Sequence, residues 1–286
     1  MKNLTNIGVI KELMERHGFS FSKGLGQNFL INPSVCPRIA EEGFAESGYG
    51  ILEIGTGFGT LTAELAKRAD KVTAVEIDKR LLPVLNETLS VFDNVKIIND
   101  DIMKVDLGEL IKNEFDGLKV AVCANLPYYI TSPVIMLLLE SELPITAVTV
   151  MVQKEAAVRL TAKPGTRESG AVTVAVNYYG AAETLFNVSR GSFMPAPKVD
   201  SAVIQIRPDC KYRNMVHNKE LFFKVVRGAF SQRRKTMVNS LSSAARIPKD
   251  AIFSALEKAG LPETVRAEKL DMESLISFTN LLDCAL

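Results

Sequence analysis

The 286-residue chain has no tryptophan, two histidines and four cysteines, and each scarcity closes off a class of chemistry. Cys36, Cys123, Cys210 and Cys284 lie far apart with no C-x-x-C pair, and His17 and His217 stand alone, so no metal is expected. The H-x-E and P-C-x-x-C pattern of zinc-dependent base deaminases is missing. The cysteines read as small apolar fillers. No apolar run reaches membrane-spanning length, and Lys2, Lys11, Glu12, Glu15 and Arg16 break up the apolar residues of the amino end, unlike the core of a signal peptide. The expectation is a soluble cytoplasmic protein with no membrane partner. With 47% hydrophobic and 23% charged residues, the composition argues against disorder and for a full core.

What is present is concentrated in NLPYYITSP, residues 125–133. An adenine-type exocyclic amine is a weak nucleophile because its lone pair is delocalised into the ring. The side-chain oxygen of Asn125 and the carbonyl of Leu126 are suited to accept one amine hydrogen each, which draws the nitrogen toward tetrahedral geometry and aims its lone pair at an incoming methyl group. Tyr128 offers a stacking platform. Pro127 fixes its own φ and biases Leu126 toward an extended backbone. The competing reading is a strand that ends in a proline turn with two surface tyrosines.

The company of this motif favours the chemical reading. ILEIGTGFGTLT at 51–62 reads as strand, tight loop and helix, with Gly55, Gly57 and Gly59 allowing close approach of the backbone to a ligand. A dinucleotide fingerprint aligned on Gly55 and Gly57 needs glycine where Thr60 stands. KVTAVEID at 71–78 is a second strand pattern, and its Glu76, 21 positions beyond Gly55, suits the hydroxyls of a ribose. NVKIINDDI at 94–102 closes a third strand with Asp100 or Asp101, of which Asp101 is preferred as a reader of an adenine amino group. KVAVCANLPYY at 119–129 is the fourth, so four strand ends converge on one crevice.

With these segments in view, the chain resembles the ribosomal RNA adenine dimethyltransferases, across SKGLGQNFL at 22–30, EIGTGFGTLT, EID, NDDI, NLPYYITSP, SFMPAPKVDSAVI at 192–204 and FSQRRKTMVNSL at 230–241. The resemblance implies S-adenosyl-L-methionine as methyl donor, with Asn28, Leu30, Gly55, Glu76, Asp101 and Asn125 on cofactor-contacting positions. It places Asn125, Leu126, Pro127 and Tyr128 on the catalytic motif. It implies dimethylation of two adjacent adenosines in a small-subunit rRNA hairpin loop, in free rRNA or a pre-30S ribosomal particle, by a monomer with no DNA partner. A large-subunit rRNA dimethyltransferase, or a non-catalytic RNA-binding or transcription factor on the same fold, is the alternative. Two departures are visible: Thr56 stands where such enzymes often carry proline, and Phe58 where leucine is usual.

A net charge of +1 conceals an asymmetry. Residues 24–149 hold 10 basic and 18 acidic side chains, whereas 150–246 hold 16 and 6, a balance suited to a phosphate-binding face. Lys154, Arg159, Lys163 and Arg167, then Arg233, Arg234 and Lys235, are the candidate RNA contacts; solvated helix faces are the alternative. Phe193, in a loop stiffened by Pro195 and Pro197, either sandwiches the target base opposite Tyr128 or anchors the loop in the core. Asn32 and Pro33 look like an N-cap and first helical residue, making GQNFL a loop that leads into a helix over the cofactor pocket. Repeated βα units imply a parallel, doubly wound Rossmann-like sheet over 1–208, and apolar spacings of three and four beyond Pro208 imply a small all-α, RNA-binding domain over 209–286.

Overall fold

The computed structural model describes residues 2–22, 24, 26–232 and 234–286. Their contacts group into two compact units, one of Met1–Ala157 with Glu183–Pro208, the other of Val158–Ala182 with Asp209–Leu286.

The strands are β1 (Phe29–Leu30), β2 (Tyr49–Ile54), β3 (Lys71–Val75), β4 (Val95–Ile98), β5 (Lys119–Asn125), β6 (Ile145–Gln153), β7 (Gly180–Val188), β8 (Phe193–Met194) and β9 (Ser201–Pro208). Seven of them form one sheet in the order β4-β3-β2-β5-β6-β9-β7. The β2–β3, β3–β4, β2–β5 and β5–β6 ladders are parallel, while β9 runs antiparallel to β6. Every residue of β2 is buried, as is Val120–Ala124 of β5, which is why these strands read as continuous apolar runs rather than alternating ones. The chain leaves β2 toward β3 and β4, then returns to the other side of β2 as β5. Connections that diverge in this way open a crevice at the carboxyl ends of the strands.

The sheet unit carries α1 (Ile7–Arg16), α2 (Val35–Glu42), α3 (Thr60–Ala66), α4 (Leu82–Thr88), α5 (Leu107–Glu114) and α6 (Thr131–Glu140). One core packs Ile39 of α2 and Leu65 of α3 on Ile51 and Ala121 of the sheet. Another packs Ile10 and Leu13 of α1 with Val84 and Leu85 of α4 around Phe19, Phe29 and Phe58. The Asn6 side chain caps α1 by accepting from the Gly8 and Val9 amides. Glu87 of α4 then receives Lys2, Arg16 and His17, tying the N-terminal segment to the sheet unit. These partners, Lys2 first, hold the Glu87 carboxyl at about 2.

Two local expectations are corrected. The α2 helix begins at Val35, not at Pro33, because the Asn32 carboxamide oxygen accepts from the Ser34 amide and hydroxyl at 3.1 and 2.8 Å and forms a turn ahead of the helix. GQNFL is not wholly a loop: Phe29 and Leu30 pair antiparallel with Met194 and Phe193, partners 165 and 163 residues away that local sequence does not reveal.

α7 (Lys154–Leu160) spans the change of unit at Ala157, and α8 (Ala171–Tyr179) belongs to the second unit with α9 (Lys219–Ala229), α10 (Met237–Ser240), α11 (Lys249–Lys258) and α12 (Met272–Asp283). α9 is amphipathic, burying Leu221, Phe222, Val225 and Val226, and Asn218 caps it through the Leu221 amide at 3.0 Å. The Tyr178 ring stacks on Phe222 at 5.3 Å and Tyr179 on Phe223 at 5.7 Å, so 158–182 groups with the later helices although it precedes β8 and β9. Among the described residues, no helix is long and apolar enough to cross a membrane.

Candidate active site

A cavity of about 270 Å³ opens at the carboxyl ends of β2, β3, β4 and β5. It is lined by Asn28 and Leu30 of the N-terminal segment, Gly55 and Gly57 after β2, Glu76 after β3, Asp100 and Asp101 after β4, and Asn125, Leu126, Pro127 and Tyr128 at the end of β5. Phe193 completes the wall.

The glycine loop has two different reasons for its glycines. Gly55, Gly57 and Gly59 all have positive φ, at 78°, 55° and 83°. At Gly55 the nearest heavy atom to an added Cβ is the Asn125 carbonyl oxygen at 4.0 Å, so a side chain would take up space beside the cavity. At Gly57 the same Cβ would meet the Phe29 ring at 2.9 Å, a packing constraint from the N-terminal segment. The Phe58 ring packs in the aromatic cluster, 4.4 Å from Phe29 and 5.4 Å from Phe19 between ring centroids, and the residue also borders the cavity.

Glu76 is buried and held: Oε2 accepts the Thr56 amide and hydroxyl, both at 2.9 Å, and Oε1 accepts the Asp78 amide at 2.8 Å. Asp101 is half-exposed, its Oδ1 accepting the Met103 amide at 3.1 Å. In the NLPY turn, the Pro127 carbonyl accepts the Ile130 amide at 3.1 Å, which closes the turn beyond Leu126 and leaves the Leu126 carbonyl as the one next to Asn125 outside it. The Tyr128 hydroxyl pairs with Ser201 Oγ at 2.9 Å, so the ring is fixed before any ligand arrives. Burial pushes its phenol above the ordinary range, Asp200 adding to the effect against the Ser201 hydrogen bond.

A scan against family models matches residues 18–283 to the family described as ribosomal RNA adenine dimethylase. The chain belongs to this family. It is 44% identical over 283 residues to the ribosomal RNA small subunit methyltransferase A of Clostridioides difficile, covering 99% of this chain and 98% of that protein. The protein of the same name from Geobacillus thermodenitrificans is 47% identical over 285 residues, covering 98% of this chain and 97% of the relative. Among solved structures, a dimethyladenosine transferase from Plasmodium falciparum superposes with a TM-score of 0.75 at 26% identity, over 90% of this chain and 98% of the other. The 23S rRNA methyltransferase ErmE superposes at 0.68 with 29% identity, over 90% and 100%. The fold of this dimethylase-family member is the Rossmann-like α/β sheet of S-adenosylmethionine-dependent methyltransferases, accompanied by helices.

The remaining candidates of this family member fall elsewhere. Lys154 and Arg159 are exposed on α7, and Arg234 and Lys235 are exposed between α9 and α10; none lines the cavity. Arg233 lies outside the described residues. Phe193 is only 4% exposed and shares a core with Leu30 and Val35, so most of its ring is already packed.

Sequence reasoning missed three features. Ile77, Met103 and Tyr129 line the cavity with 53%, 43% and 58% of their surfaces exposed, an apolar rim for a flat ring. Their signal was weak, because each is a single apolar or aromatic residue just after a strand, with no periodicity to mark it. Gln27 donates to Asp78 Oδ2 at 2.8 Å and accepts the Ser22 amide at 2.9 Å, fastening the N-terminal segment across the cavity to the loop after β3. Asp78 also pairs with Arg80 at 2.6 Å, and this guanidinium above all holds its carboxyl below the usual range. Glu53 sits fully buried in β2, the Thr62 hydroxyl close but outside hydrogen-bond geometry, and burial pushes its carboxyl up to about 8. A lone acid inside an apolar strand was its visible signal.

Proposed function

We propose that this protein transfers methyl groups from S-adenosyl-L-methionine to the exocyclic amine of adenosine in small-subunit ribosomal RNA, forming the dimethylated base. The observation that carries the reading is that the glycine loop, Glu76 and Asp101 share one cavity with the Asn125–Tyr128 turn, so a methyl donor and a base amine have adjoining places. The 44–47% identity to small-subunit enzymes, against 29% to a 23S methyltransferase, supports the small-subunit substrate over the large-subunit alternative.

The residues present fit the donor. At about 270 Å³ the cavity lies near the lower end of small-molecule sites, about 300 to 1,000 Å³. Glu76 is the acceptor for ribose hydroxyls, Asp101 for the adenine amino group, and the exposed faces of Ile77 and Met103 take the purine ring. Asn28, Leu30 and the bare backbone at Gly55 and Gly57 border the rest. When bound, the donor supplies a methyl group on a sulfonium, which departs as a neutral thioether.

The chain's own contribution is alignment. Tyr128, held by Ser201, stacks on the target base, with the cavity-facing part of Phe193 beside it. Asn125 Oδ1 and the Leu126 carbonyl accept the two amine hydrogens and aim the nitrogen lone pair at the methyl carbon. As the N–C bond forms and the S–C bond breaks, the nitrogen becomes cationic, and its proton then passes to water. Holding the reacting atoms near contact and in line removes several kcal/mol of barrier, so no strong base is needed. For the second transfer one amine hydrogen is replaced by methyl, and Asn125 or Leu126 alone keeps the orientation. Lys154, Arg159, Arg234 and Lys235, with Arg233, are proposed to hold phosphates of the RNA, and the second unit to serve RNA binding.

The test is to incubate unmethylated small-subunit rRNA and ribosomal subunits with labelled donor and digest to nucleosides. Dimethyladenosine is the expected product; label on a ribose oxygen, or no label, overturns the reading.

A further inference from the structure

Thr56, at the start of the loop after β2, is buried and lies against Glu76. Its amide and its hydroxyl each donate to Glu76 Oε2 at 2.9 Å, the Gly57 carbonyl at 3.4 Å being the hydroxyl's weaker partner. A carboxylate oxygen offers about two lone-pair directions. Thr56 therefore fills Oε2, while Oε1, with one bond from the Asp78 amide at 2.8 Å, keeps one direction open. A proline at position 56 would bring neither an N–H nor a hydroxyl to this carboxylate.

We propose that Thr56 is a positioning residue for cofactor binding: by holding Oε2 with two hydrogen bonds, it fixes the Glu76 carboxylate in the orientation in which it accepts from the ribose hydroxyls, Oε1 keeping the more open direction. This rests on the reading of the cavity as an S-adenosylmethionine site. Thr56 also borders the cavity, and its side-chain hydroxyl is engaged by Glu76, so the analogue without ribose hydroxyls and the Glu76→Ala background separate an influence through the carboxylate from a direct contact. Loss of its hydroxyl leaves Oε2 with the Thr56 amide alone and opens one of its directions to water, so the carboxylate is held by two backbone amides instead of three donors and is less rigidly oriented toward the ribose.

The experiment is calorimetric titration of the full chain with S-adenosylhomocysteine and with an analogue lacking both ribose hydroxyls. Thr56→Val, which keeps the shape of the side chain, is expected to weaken S-adenosylhomocysteine about five- to tenfold and the analogue less than about twofold. Thr56→Ser, which retains both donors and guards against loss of fold, should bind both ligands as the parent does. In a Glu76→Ala background, Thr56→Val should have no further effect. Equal losses for both ligands, an undiminished loss in the Glu76→Ala background, or unchanged affinity in Thr56→Val would each overturn the proposal while leaving the cofactor site standing. If the parent protein bound no S-adenosylhomocysteine at all, the reading of the cavity would fall, and this inference with it.

Discussion

The sheet unit carries 18 basic and 23 acidic residues and the helical unit 16 and 10, so one is net negative and the other net positive. The difference matches two tasks with opposite electrostatic needs. Under the proposed function, a cationic donor and a ribose call for carboxylates such as Glu76 and Asp101, which follow parallel strands and line the cavity. The proposed role of exposed Arg234 and Lys235 is contact with an RNA backbone, where long side chains adapt to phosphates without a shaped cavity. The contrast teaches that a near-neutral chain can contain two units of opposite net charge, as the two proposed tasks require.

The sharpest way to break this division of labour is Asn125→Ala. Methyl transfer should fall by about a hundredfold or more in single-turnover assays, with RNA affinity unchanged and donor affinity altered far less. Turnover near that of the parent would remove Asn125 from its role. Next in size, Glu76→Ala should weaken donor binding by about ten- to a hundredfold, the worth of a hydrogen bond to a charged group, and leave RNA binding alone. If calorimetry finds no change, the ribose contact is misassigned. On the helical side, replacing Arg234 and Lys235 together with alanine should lower RNA affinity and reduce the slope of log affinity against log salt by about 1 to 2. An unchanged slope would return both to solvated-surface duty.

The smallest effect concerns the buried interior of the sheet unit. Glu53 has its carboxyl raised from 4.5 to about 8, so the folded state holds a proton that the unfolded chain releases above pH 4.5. Its stabilising contribution is complete below that value and is lost as pH rises through about 8. Glu53→Gln, neutral at every pH, should therefore flatten the decline in melting temperature between pH 4.5 and about 8. Parallel melting curves for parent and variant would show that Glu53 does not titrate in this range.

Legibility differed between the two units for physical reasons. In the sheet unit, β2, β3, β4 and β5 are apolar runs followed or closed by a glycine or polar residue, so Gly55, Glu76, Asp101 and Asn125 are readable as a set from the sequence, and the structure brings them to one cavity. The N-terminal segment was less readable. Phe29–Leu30 becomes a strand only because β8 is there to pair with it, and Gly57 faces Phe29 across a loop that no periodicity encodes. In the helical unit, apolar spacing announced α9, α11 and α12, but a single cut at 208 assigns 158–182 to the sheet. Tyr178 and Tyr179 pack on Phe222 and Phe223 instead, a choice made by ring contacts between segments some 44 residues apart.

The alternation of apolar strands and helices and the chemistry at the strand ends by themselves determined the fold class, because local backbone preference and residue type suffice to specify strands, turns and the groups that end them; the family followed from the resemblance carried by SKGLGQNFL, NLPYYITSP and SFMPAPKVDSAVI. The tertiary structure alone decided that Thr56 and Asp78 would grip Glu76, that Ser201 would hold Tyr128, and that Gln27 would fasten the N-terminal segment beside the cavity. Except for the Asp78–Glu76 bond, these are hydrogen bonds between residues 20 to 73 positions apart, whose directional geometry arises only once packing has brought the donors and acceptors together.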